Sequence, residues 1–403
     1  MLKPILWPVL VPSLLFAAGL GAIMPVLVLG ALSLGASSAF AAAIVGIMGA
    51  VSLLATVPAG ILIDRLGDFR AMVVATTFAI VIVTGIVAAF LLDAPGSLLV
   101  YTIALMLFAP VSDVWNLARQ AVVAEVMPSA HLAKAMTTLG GSMRVGNLVG
   151  PIIGAGLMLV FPIWSVFVFA GVAGLLAIIV MALPIARIPD YGHSHSDGGA
   201  TADSPAEPPR RARLDVRWNA VVLVGISIIT LTVARSVQPV VIQLWGVSIG
   251  LHESQISLLI AFGAGLELVF MFLGAYIKDR LGRVATLVAC LTIFGAGFIA
   301  MVTMPTLTGM IVSVGIMAVG NGLGAGVNMT IGADLSPRIG RARFLGIWAI
   351  FNNGGKLAGP SVIALVIAIA SLRFGVLFTG FVAIAGAVWV LVWARQIGLP
   401  GRR

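Results

Sequence analysis

Charge is scarce in this chain of 403 residues: Asp, Glu, Lys and Arg make up 9% of it, against 61% hydrophobic residues. So little charge excludes a soluble domain, which could not hold that much apolar surface in water, and leaves a bilayer as the solvent. Cysteine is nearly missing, with Cys290 alone inside a long apolar run, so no disulfide framework exists and the redox compartment stays open. The sequence also lacks a metal-ligand cluster, a nucleophile elbow and a phosphate loop; Gly354-Gly355-Lys356 does not have the loop's spacing. These gaps argue against an enzyme and against nucleotide as the source of energy. No cofactor or metal is expected, and any work has to be driven by a gradient of ions or solute.

What is present is a series of apolar runs. A helix needs roughly 20 residues to cross about 30 Å of hydrocarbon, and reading at that length predicts twelve spans. They lie near 5–30, 38–62, 70–92, 97–122, 131–160, 163–186, 218–247, 254–277, 284–304, 307–333, 343–370 and 374–395. The first run, followed by Ala39-Phe40-Ala41, has the look of a signal peptide, but its apolar stretch is too long and a retained helix is expected. With the N-terminus in the cytoplasm, inner loops, tails and the adjoining span ends hold 18 of the 23 Lys and Arg, outer loops hold Arg373 alone, and four lie deeper within spans. This follows the positive-inside rule and predicts a multi-pass protein of the inner (plasma) membrane with both termini cytoplasmic. The net charge of +9 then belongs to topology and anionic-lipid contact rather than to nucleic acid.

Between the sixth and seventh runs the composition changes. Residues 187–217 carry prolines, glycines, a run of arginines and the pair His193 and His195, which has no further metal ligands nearby. This reads as a cytoplasmic linker between domains 1–186 and 218–403. The two sides are copies. Asp64-Arg65-Leu66-Gly67 recurs as Asp279-Arg280-Leu281-Gly282, 215 residues later, and Gly146 and Gly150-Pro151 recur 209 residues later as Gly355 and Gly359-Pro360. The predicted fold is an all-α membrane protein of twelve helices in two pseudo-symmetric six-helix bundles, the parallel-repeat arrangement in which a secondary transporter binds its solute between the halves.

These residues resemble the major facilitator superfamily, over both halves and apart from the linker. Gly60, Asp64, Arg65 and Gly67 match the glycine-x-x-x-aspartate-arginine-x-glycine loop after helix 2, and Asp279, Arg280 and Gly282 repeat it. Gly146, Gly150, Pro151 and Gly154 are similar to the helix-5 signature of exporters that exchange solute for protons. The resemblance implies the twelve-helix drug/proton antiporter group and a gating contact of Asp64 with the start of helix 11 in the outward-facing state. A carboxylate there gains about 0.3–1 kcal/mol from the helix N-terminus; the alternative is local pairing with Arg65 or Arg70. The helix-5 glycines allow tight packing on a neighbouring helix.

Five charges fall near the middle of spans: Asp113, Arg144, Arg235, Glu267 and Lys356. In hydrocarbon each costs several kcal/mol, on the order of 3, unless paired or hydrated, so each lines a central cavity or forms a structural ion pair. Asp113 shares a helical face with Asn116 and Gln120, while Trp115 and Arg119 form a second strip. Arg119 is either a coupling residue or part of an inner-mouth contact with Glu125 or phosphate. Glu267 and Asp113 are the candidates for carrying a proton, because a carboxylate in a dehydrated cavity can change ionisation in the physiological range. The three cations against two acids favour an anionic or zwitterionic solute, unless Glu125 or Asp334 cancels the excess. The expectation is a monomeric exporter of a small amphipathic compound or drug, exchanged for protons by alternating access. The alternative is a proton-independent facilitator or exporter of a metabolite, organic anion or lipid-like molecule.

Overall fold

Glycine and charge punctuate the apolar runs, and in the computed structural model each run becomes a helix. The structure describes residues 3–92, 94–186, 216–337 and 341–398, and among them all regular structure is helical. Most of the linker, with His193 and His195, lies outside the described residues, as do the side chains of Lys278 and Asp279. The helices are α1 (Leu6–Ser33), α2 (Ser38–Leu66), α3 (Asp68–Leu92), α4 (Ser97–Val126), α5 (Ser129–Met158) and α6 (Trp164–Ala182). After the linker come α7 (Trp218–Ser248), α8 (Glu253–Leu281), α9 (Arg283–Thr303), α10 (Leu307–Leu335), α11 (Arg341–Ile369) and α12 (Leu372–Val392).

Ten of these are long and apolar enough to cross a membrane. The two that fall outside that criterion are α5 and α11, the helices that carry Arg144 and Asn147, and Asn352, Asn353 and Lys356. Their polarity follows from where they sit, against helices of the other half rather than only against lipid.

Helix ends are set by local chemistry. Ser37, Thr306 and Ser371 each cap a helix start by accepting from a backbone N–H three residues on, at 3.1–3.2 Å. Gly67 and Gly282 close α2 and α8 with φ of 80° and 85°, backbone that favours glycine, which is why both copies of the loop motif carry one there. Two helices are interrupted inside their spans. In α1 a tight turn occupies Met24–Val26, around Pro25. In α10 the helix stops at Leu323 and restarts at Val327, across Gly324-Ala325-Gly326.

Packing repeats between the first six helices and the last six. α1 packs on α5 and α6, α3 on α4 and α6, and α2 on α4; likewise α7 packs on α11 and α12, α9 on α10 and α12, and α8 on α10. The two sets meet through α2 against α11 and α5 against α8.

Candidate functional site

Interruption of α1 frees backbone groups inside the protein, and a side chain from the other set of helices satisfies them. Gln243 of α7 accepts the N–H of Val28 at 2.9 Å and of Leu29 at 3.4 Å through Oε1. Its Nε2 donates to the carbonyls of Met24 at 3.1 Å and Pro239 at 3.0 Å. A buried amide with both ends occupied is a fixed element of structure. Nearby, Ser257 of α8 donates to the Pro151 carbonyl of α5 at 2.8 Å, and Gly46 of α2 lies against Ser361 of α11. These contacts fasten the two sets at the ends of the helices remote from Asp64. Asp64 itself is exposed and makes no ion pair or hydrogen bond with the described residues.

At mid-height an open cavity of about 530 Å³ lies between the sets. α7 contributes Thr232, Arg235 and Ser236, α10 contributes Asn328 and Met329, α11 contributes Asn352, Lys356 and Pro360, and α2 contributes Val45 and Gly49. Among the described residues that line it are two cations and no carboxylate. The size falls within the roughly 300–1,000 Å³ of small-molecule sites.

The five in-span charges fall into two groups. In the first, Arg144 of α5 reaches Glu267 of α8 at 3.9 Å. Glu267 also accepts from Asn321 Nδ2 of α10 at 2.6 Å. Arg235 of α7 joins the same group by donating to the carbonyls of Gly324 at 3.0 Å and Asn321 at 3.4 Å, on either side of the point where α10 breaks. Cys290 is buried beside it. In the second group, Asp113 of α4 accepts from the Ser52 hydroxyl of α2, and Lys356 of α11 acts on it electrostatically. Asp334 pairs with Arg283 at 3.1 Å, away from both groups.

The remaining α4 residues sit elsewhere. Trp115 is fully buried, stacked on Phe16 at 4.4 Å and donating to Thr76 Oγ1 at 2.7 Å, so it joins α1, α3 and α4. Arg119 is buried over the Trp115 ring at 5.5 Å and donates to Asn116 Oδ1 at 2.6 Å. Gln120 is exposed and donates to the Asn116 carbonyl at 2.9 Å. None of these four lines the cavity.

The loop motif and the helix-5 motif divide between shape and contact. Gly60 has open space around it, Arg65 is exposed, and Arg280 lies over the Tyr276 ring at 4.5 Å. On α5, a Cβ at Gly146 would come within 2.6 Å of Ala17 Cβ, and one at Gly150 would overlap the Ala18 carbonyl of α1. Gly154 has ordinary contacts at 3.6 Å and Gly156 has open space. The equivalents in the second half behave alike: Gly355 and Gly359 of α11 press on Thr232 and Ser236 of α7.

Sequence reading passed over Ser52, Gln243, Asn321, Asn328 and Asn352. The signal was there, as isolated amides and a hydroxyl inside apolar runs, but amides cost less than charges in hydrocarbon and stand out less.

The model of the Major Facilitator Superfamily matches residues 9–234 and again residues 223–401. Among solved structures, a peptide transporter POT in complex with sulfate is 12% identical, with a TM-score of 0.77 over 98% of this chain and 95% of its own. A POT family transporter in complex with 5-aminolevulinic acid is 13% identical, with a TM-score of 0.77 over 96% of both chains. A bacterial homolog to the human lysosomal transporter Spinster, inward-facing and occupied, is 14% identical, with a TM-score of 0.74 over 97% of this chain and 96% of its own. No curated protein matches in sequence. At such identities the structural likeness is one of fold.

Proposed function

The chain belongs to the Major Facilitator Superfamily, and on that footing we propose that it moves a small solute across the inner membrane by secondary active transport, with proton exchange and alternating access. Membership places it with transport rather than catalysis. In the proposal, residues 1–186 and 218–403 are two six-helix bundles, α5 and α11 count among twelve spans, and both termini lie in the cytoplasm. The positive-inside distribution of Lys and Arg supports that orientation.

One observation carries the reading. The two helix sets are fastened at one end by Gln243, Ser257 and the α2–α11 contact, while a cavity between them stays open and Asp64 is uncontacted at the other end. With cytoplasmic termini this is the inward-facing member of an alternating pair. In the outward-facing member the Gln243 contacts part and Asp64 approaches the start of α11.

Glu267 is the proposed proton carrier, with Asp113 second. Glu267 lies between a cation and an amide from two other helices, so its charge state alters a contact between the bundles as well as the cavity's field. Export of an amphipathic compound is the proposed direction, supported by the glycine signature of α5. The test is flux in proteoliposomes. A pH gradient should drive solute movement in the parent protein, and replacing Glu267 with Gln and Asp113 with Asn should abolish the drive while leaving downhill exchange. Gradient-driven flux that survives both replacements favours the proton-independent facilitator.

A further inference from the structure

We infer that the cavity between α2, α7, α10 and α11 receives an oxyanion group of the solute, a carboxylate or a phosphonate, on a donor surface built from Asn352, Lys356 and Arg235. The inference rests on the transport reading for what the cavity is for, and adds the class of solute it selects.

Asn352 is oriented by a chain of hydrogen bonds that begins at a group with no choice. An indole N–H can only donate, and Trp348 Nε1 donates to Asn328 Oδ1 at 2.9 Å. The amide oxygen of Asn328 is therefore turned to the indole, and its Nδ2 donates to Asn352 Oδ1 at 3.1 Å. The Thr232 hydroxyl, whose proton goes to the Ile228 carbonyl at 2.8 Å, lies 3.3 Å from the same oxygen. With its oxygen accepting from Asn328, Asn352 presents Nδ2 to the cavity, and that nitrogen has no partner among the described residues. The amide's orientation thus follows from the network rather than from a choice between two similar atoms.

Two cations stand on either side of it. Arg235 is anchored by one terminal nitrogen on the carbonyls of Gly324 and Asn321, and its Nε is buried with no hydrogen-bond partner. Lys356 is exposed in the cavity one helical turn from Asn352. Its electrostatic partner, Asp113, belongs to the opposite helix set and accepts from Ser52. No described carboxylate lines the cavity beside them, so an incoming oxyanion gains charge-assisted hydrogen bonds there without a resident competitor. A neutral or cationic head group does not. The volume of about 530 Å³ is too large for an oxyanion alone, and Val45, Met329 and Pro360 leave an apolar side for the rest of the solute.

The test uses the full chain in detergent micelles, with thermal stability and binding isotherms read without any gradient. Binding can then fail or hold independently of transport, and flux failing with binding intact would count against the transport reading alone. The probes are benzoate and phenylphosphonate, set against benzamide and benzylamine, which share the ring and differ in charge. Both anions should stabilise the protein saturably, and their order of affinity tells a planar from a tetrahedral head group. Lys356→Gln should weaken benzoate by about tenfold, the size of one lost charge-assisted contact. Asn352→Asp keeps an oxygen for Asn328 but turns the donor into a carboxylate, and should abolish anion binding. Lys356 is exposed and the Asn352 change is isosteric, so both variants should melt near the parent when empty. Three results overturn the inference: benzamide or benzylamine binding as tightly as benzoate, benzoate affinity unchanged in both variants, or no saturable anion binding up to about 10 mM.

Discussion

Arg235 does two things with one guanidinium, and substitution can separate them. It ties two carbonyls together at the break in α10, and it lines the cavity. Lysine keeps the charge but not the planar fork. Arg235→Lys should therefore cost about 1–3 kcal/mol for the lost charged hydrogen bonds, seen as a lower melting temperature. Arg144 offers the contrast. Its 3.9 Å contact with Glu267 joins side chains that are 45% and 30% exposed, and pairs of that kind contribute about 0–1 kcal/mol. Arg144→Gln should leave melting nearly unchanged, and any effect should appear in the pH dependence of flux. At this scale the charges were legible in the sequence, because an ionised group inside an apolar run has few explanations. Their pairings were not, since Asn321 and Ser52 lie on other helices and only the fold brings them to Glu267 and Asp113.

Glycines decide how closely helices approach, and on α5 they do so unequally. Gly150 sits against the α1 backbone whereas Gly156 faces open space, although both belong to one small-residue stretch of sequence. Gly150→Ala should destabilise by about 1–3 kcal/mol through overpacking, and Gly156→Ala should melt like the parent. Comparing the two by thermal denaturation checks the α1–α5 contact. A larger loss for Gly156 would contradict it. Most helices were legible as apolar runs, and the ends that differ do so for a physical reason. α2 continues to Leu66, past the predicted limit at residue 62, because Asp64 and Arg65 extend the helix until Gly67 turns it. The breaks in α1 and α10 escaped notice because Met24-Pro25-Val26 and Gly324-Ala325-Gly326 carry no charge and leave each run apolar as a whole. What changes there is backbone hydrogen bonding.

For the whole molecule, the Gln243 amide makes the most hydrogen bonds across the bundles among the described residues, and removing it should shift the balance of states. Gln243→Leu should favour the outward-facing form. Cys290, the one native cysteine, is fully buried, so spin labels can be placed at Ser33 and His252, which border the same opening at the fastened end. Their separation should lengthen in the variant, and an unchanged distance distribution would show that the amide does not hold the gate. The duplication was legible from motif offsets, and the repeated packing of helix pairs gives it spatial form. The position of the opening between the halves was not legible, because one sequence serves every state of the cycle.

Val28 and Gln243 are 215 residues apart, the same interval that separates Asp64 from Asp279, and Met24 stands at that interval from Pro239. Gln243 thus binds α1 close to its own place in the first repeat, and its Nε2 bridges one carbonyl of α1 and one of α7. In a dimer of identical subunits a glutamine on the axis would confront another glutamine, and the two would compete for the same atoms. Joining the repeats in one polypeptide lets a valine yield the space, so that a single asymmetric clasp can sit on a nearly symmetric hinge.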